Sequence, residues 1–149
     1  MVMRDFFKRY IPEFVYGAVD GTVTTFAVVA ASAGAGISSS VILILGIANL
    51  IADGFSMGSS AYLAASAEHE ESIRDSQKRS SPKIIGAVTF LAFVVVGSVP
   101  VLPYLIDVIA NLKAPNAILF YISSALTAAT FLAIGFIKGK VSKQSPWQS

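Results

Sequence analysis

Residues 41–65 read VILILGIANLIADGFSMGSSAYLAA, an apolar run interrupted by a single ionisable carboxylate, Asp53. A bilayer core about 30 Å thick is crossed by roughly 20 helical residues rising about 1.5 Å each. Three more runs of similar length accompany it, at residues 14–35, 84–106 and 117–137. In lipid only helices and closed barrels satisfy every backbone polar group, and these runs lack the two-residue alternation of barrel strands. The expectation is an all-α integral membrane protein with four transmembrane helices. It forms a single membrane domain over residues 1–149, with a connecting loop at 66–83.

Composition agrees. Of the 149 residues, 54% are hydrophobic and 13% charged, and the mean hydropathy is +0.69. Soluble domains carry about 25% charged residues, which they need to cover their surface. Cysteine is absent, which excludes disulfides and thiolate metal sites. The N-terminal MVMRDFFKRY is charged and leads into a full-length span, so no cleavable signal is expected.

Basic residues set the expected orientation. Arg4, Lys8 and Arg9 precede the first span; Arg74, Lys78, Arg79 and Lys83 lie between the second and third; Lys138, Lys140 and Lys143 follow the fourth. Of the 11 Lys and Arg residues, only Lys113 falls on the other side. The positive-inside rule then places both termini in the cytoplasm. A nucleic-acid-binding patch is the rival reading, but the clusters flank apolar spans too regularly, so the expected partner is membrane lipid and not nucleic acid.

The polar residues inside the spans carry the chemistry. The first span, FVYGAVDGTVTTFAVVAASAGA, holds Asp20, with Glu13 about two helical turns earlier on the same face. The second holds Asn49, Asp53 and Met57 at i, i+4 and i+8, one stripe along a helix. A carboxylate at mid-membrane costs roughly 2.5–3.5 kcal/mol on insertion scales, so two of them call for a use. Counted inward from the basic ends of the spans, Asp20 lies about 9 Å deep, Met57 about 12 Å and Asp53 about 18 Å. Glu13 sits at the mouth. Carboxylate and amide oxygens with a thioether suit a transition metal such as Fe²⁺ or Mn²⁺ better than magnesium or calcium. Carboxylates in a low-dielectric site have raised proton affinity, so metal–proton exchange is the natural hypothesis.

Plainer readings compete with each assignment. An intramembrane Asp can bond to Ser or Thr of a neighbouring helix, Asn49 can be interhelical glue, and Met57 is an ordinary lipid-phase residue. Gly17 with Gly21, and Gly54 with Gly58, form GxxxG patterns that permit close helix contact. Beyond the second span, Glu68, His69, Glu70 and Glu71 form either a cytoplasmic metal-collecting cluster or a solvated helix end balanced by nearby basic residues. Pro100 and Pro103 predict a kink or break near the outer end of the third span. The fourth span, with Ser123, Ser124, Thr127 and Thr130, reads as scaffold.

The segments YGAVDGTVTTFAVVAASAGAG, GIANLIADGFSMGSSAYLAASAEHEE and SPKIIGAVTFLAFVVVGSVPVLPY resemble the first three helices of the vacuolar iron transporter family. The resemblance covers nearly the whole chain. It implies a homodimeric, proton-coupled exporter of cytosolic Fe²⁺, sometimes Mn²⁺, with its pathway between the protomers. The metal is then a transported substrate, and no permanently bound cofactor is expected. Asp20 and Met57 match the family's pore aspartate and methionine, and Glu13 a position that is acidic in the plant member. Asn49 stands where that member has glutamate; Asp53, one turn on, is our candidate replacement and not part of the family pattern. Plant and yeast-type members insert a glutamate-rich domain where this chain has roughly fifteen residues. They also carry a fifth helix after a Pro-Trp like Pro146-Trp147. The four-span form is therefore read either as a natural variant or as a truncated transporter.

Two other functions remain in view. One is a non-transporting membrane scaffold. The other is an intramembrane aspartyl protease, since two spans each carry Asp-Gly, but the 9 Å difference in estimated depth counts against a shared-proton dyad. A plasma-membrane location is expected if the host is prokaryotic. Iron and manganese are not ranked by these residues.

Overall fold

The computed structural model describes residues 2–71 and 81–142, with side-chain surroundings for residues 9–68 and 81–139. The elements are α1 (Val2–Gly34), α2 (Ser39–Glu71), α3 (Pro82–Gly97), a 3-10 turn (Val99–Val101), α4 (Leu102–Ala110) and α5 (Asn116–Ser142). Four stretches are long and apolar enough to span a membrane: Arg9–Gly34, Ser39–Glu68, Pro82–Ala110 and Asn116–Gly139. No strand occurs among the described residues. The chain is a multi-pass, all-helical membrane protein.

Short loops force neighbouring helices antiparallel. α1 ends in a Schellman motif: Gly36 adopts φ 71°, its amide bonds Ala33 O, and Ile37 N bonds Ser32 O. Only residues 35–38 separate α1 from α2. Such a tight hairpin fixes the register of the pair, because residues equally far from the loop stand at equal height.

Small residues decide who packs on whom. α3 lies against both α1 and α2 through all four glycines of the GxxxG pairs. A Cβ at Gly17 would run into Thr89 O, and one at Gly21 would come within 2.5 Å of Phe93 O. On α2, Gly54 faces Phe93 and Val94, and a Cβ at Gly58 would stand 3.0 Å from Gly86 O. Gly97 answers Gly21, its Cβ position 2.8 Å from the Gly21 carbonyl. α3 is thus a wedge held in two glycine creases, where close backbone approach replaces the interhelical hydrophobic drive that lipid does not supply.

The third span breaks where its prolines predict. α3 stops at Gly97, Pro100 sits in the 3-10 turn, and Pro103 lies in the first turn of α4, where its missing N–H costs nothing. The buried Ser123 hydroxyl donates to Pro100 O at 2.7 Å. A fourth-span serine therefore satisfies a carbonyl that the break frees. Around it, Val29, Ile42, Leu43, Val101, Tyr104 and Leu119 form the main core at the end opposite the basic clusters. There Asn116 Nδ2 donates to Ile37 O at 2.9 Å, joining the two loops of that end.

Candidate functional site

The hairpin of α1 and α2 carries the predicted polar residues, and its register places them. Asn49 Nδ2 donates to Thr25 Oγ1 at 3.2 Å and Thr24 Oγ1 at 3.4 Å. Asn49 is thereby the interhelical tie that the plainer reading gave it, whatever else it contacts. One turn toward the basic end on each helix come Asp20 and Asp53. Asp20 stands fourteen residues before Gly34, and Asp53 fourteen residues after Ser39. Both carboxylates therefore lie about 21 Å from the loop end, at one level.

This corrects the ladder expected from span ends, in which Asp53 lies deeper than Asp20 and Met57 shares the Asp20 level. The reason is that α2 continues helically to Glu71, so the end of its apolar run is no measure of depth. Met57 lies one turn nearer the basic end than the carboxylates, and Glu13 about two turns from Asp20 in the same direction.

Helical phase explains what each side chain meets. The buried stripe of α2 is Gly46, Leu50, Gly54 and Gly58, which faces α3 and the 3-10 turn. The stripe of Asn49, Asp53 and Met57 is one residue behind it, about 100° round the helix. Asn49 turns to α1, Met57 is half-buried, and Asp53 is exposed. On α1, Asp20 is half-buried beside Tyr16 and Val23, which are 66% and 48% exposed. The two carboxylates border surface that no described element covers. Their common height removes the depth argument against a carboxylate dyad. Exposure now counts against one, because Asp53 faces outward and no hydrogen bond joins it to Asp20 among the described residues.

Glu13 is half-buried, and its Oε2 is sealed from solvent with no hydrogen-bond partner among the described residues. A buried carboxylate oxygen with no donor is costly to keep, so the position is a candidate contact for a cation or a water molecule. Glu68 is exposed near the end of α2. His69, Glu70 and Glu71 complete that helix, but their side chains lie outside the described residues. Among the described residues, no three His, Cys, Asp or Glu side chains gather closely enough to hold a metal ion.

One acidic residue escaped the sequence reading. Asp107 is buried, with 6% of its surface exposed, and its Oδ1 accepts the Ala114 amide at 2.9 Å. Its backbone oxygen also accepts the Leu112 amide, and Asn111 and Lys113 take left-handed φ values of 50° and 53°. This carboxylate organises the α4–α5 loop and belongs to the scaffold. The signal for it was its place in the last turn of a span, four residues before Asn111 and the short loop.

Comparison with known proteins adds what geometry does not. The sequence profile of the VIT family matches residues 11–81 and 68–149. The vacuolar iron transporter of Toxoplasma gondii is 46% identical over 61 residues, which is 41% of this chain and 20% of that protein. The one from Plasmodium berghei is 32% identical over 71 residues, 48% of this chain and 26% of that protein. Vacuolar iron transporter 1 of Arabidopsis thaliana is 37% identical over 75 residues, 50% of this chain and 30% of that protein. The chain thus matches under a third of the length of these relatives. No solved structure matches it.

Proposed function

Because this chain belongs to the VIT family, we propose that it carries Fe²⁺, and with the same ligands Mn²⁺, across a membrane in exchange for protons. The observation that supports this reading is the shared level of Asp20 and Asp53 in the α1–α2 hairpin, Asp53 exposed and Asp20 half-buried. An ionised carboxylate facing hydrocarbon costs roughly 2.5–3.5 kcal/mol or more, so the face needs water, a cation or protein against it. A second copy of the chain would supply protein there and enclose space for a cation and its water. Two hairpins meeting on that face would enclose a pair of Asp20, a pair of Asp53 and, one turn nearer the basic end, a pair of Met57. Oxygen and sulfur donors in that proportion favour a transition metal over a harder cation.

The proton side follows from the same residues. Metal binds the deprotonated carboxylate, so a site that loads metal releases protons and one that is emptied takes them back. Glu13, with its unpartnered buried oxygen, lies between this level and the basic end. With that end cytoplasmic, the direction is export from the cytosol, into an organelle or out of the cell.

The test is reconstitution of the purified chain in liposomes with a metal-sensitive dye and a pH indicator inside. The expected result is Fe²⁺ flux coupled to opposite proton flux. Asp20→Ala should abolish both, and unchanged flux in that variant would sink the proposal.

A further inference from the structure

We propose that the groove between α2 and α3 at the basic end is a binding site for one anionic phospholipid. The groove has a volume of about 460 Å³ and opens on the outer surface of the bundle. Its floor exists because two glycines meet: the Gly86 Cβ position is 2.7 Å from Gly58 O, so neither helix has side chain to fill the crease. Phe55 and Phe90 wall it toward the membrane interior. At the other end stand Tyr62 and Lys83, and among the described residues no acidic side chain lines it.

This gradient matches one kind of occupant. Lys83 is the second residue of α3 and is exposed where that span begins, the height of lipid headgroups. Tyr62, 39% exposed, is an interfacial aromatic at the same end. Ser81 gives α3 no side-chain cap, so the positive end of the helix dipole adds to the Lys83 charge. A phosphate beside Lys83 with an acyl chain laid over the glycine crease satisfies both halves of the groove. A zwitterionic lipid brings the same phosphate together with a headgroup cation that Lys83 and the helix end repel, and a soluble anion leaves the apolar half empty. Basic pockets between spans are a general means of holding anionic headgroups. This inference rests on the membrane fold and not on the transport proposal.

The experiment uses fluorescence quenching by brominated lipids. The native tryptophan is removed with Trp147→Phe, and a reporter is placed at the groove with Leu63→Trp, a position 64% exposed. A control reporter is Leu132→Trp on α5, 67% exposed and away from the groove. In bilayers mixing phosphatidylcholine with phosphatidylglycerol, the groove reporter should favour brominated phosphatidylglycerol by about fivefold, the factor one basic residue near the surface supplies. The control should show no such preference. Lys83→Gln, a change at an exposed side chain, should erase the preference at the groove. Equal quenching by the two lipids, equal preference at both reporters, or a preference that survives Lys83→Gln would each overturn the proposal.

Discussion

Asp20 and Asp53 stand at the same height in the α1–α2 hairpin, each fourteen residues from the helix end at their shared loop. Asn49, one turn away, ties the two helices together through Thr24 and Thr25. The pair is therefore held in fixed register by a neutral hydrogen-bonded anchor, while the carboxylates are left unbonded by the described residues. Asn49, Asp53 and Met57 share one stripe of α2 because they repeat every four residues.

The exposed Asp53 is expected to oppose membrane insertion of α2 taken alone. Replacing it with Leu should favour insertion of the residue 39–68 segment by about 3 kcal/mol, the gap between Asp and Leu at a helix centre. Glycosylation mapping of that segment measures it. An unchanged inserted fraction would mean that Asp53 escapes the hydrocarbon.

If a second copy covers the uncovered face, the absence of native cysteine makes a clean test. Ala52→Cys, exposed beside Asp53, should give a disulfide-linked dimer on mild oxidation in membranes. Leu132→Cys on α5 should not. Monomer at both positions would refute the pairing.

The glycine creases predict opposite signs for the same substitution. Gly97→Ala places a Cβ 2.8 Å from the Gly21 backbone and should cost about 1–3 kcal/mol through forced separation of α1 and α3. Gly135→Ala in α5 meets nothing within 4 Å and should stabilise by up to about 1 kcal/mol. Unfolding of the purified chain in mixed micelles reads both.

Loss of the Asp107 side chain should loosen the α4–α5 loop. Asp107→Ala leaves the Ala114 amide without its acceptor and is expected to cost about 1–3 kcal/mol. Asp107→Asn keeps an oxygen in place and should recover most of it. Amide hydrogen exchange at Ala114 distinguishes the two, with rapid exchange expected only in the alanine variant.

What the sequence by itself determined is the class of fold, the spans and the polar stripes. Each rests on local costs, since a charge in lipid or an unbonded backbone is penalised wherever it occurs. Even the common height of Asp20 and Asp53 was latent there, in the four-residue loop that folds α1 back on α2; counting from the ends of apolar runs hid it. The tertiary structure alone decided which side of each stripe is covered. Both GxxxG pairs turned out to face α3, and that choice rotated Asn49 toward α1 and left Asp53 outward. A glycine pattern shows only that a helix can be approached closely. Which helix approaches depends on how all the backbones fit at once, and that is a property of the assembled bundle.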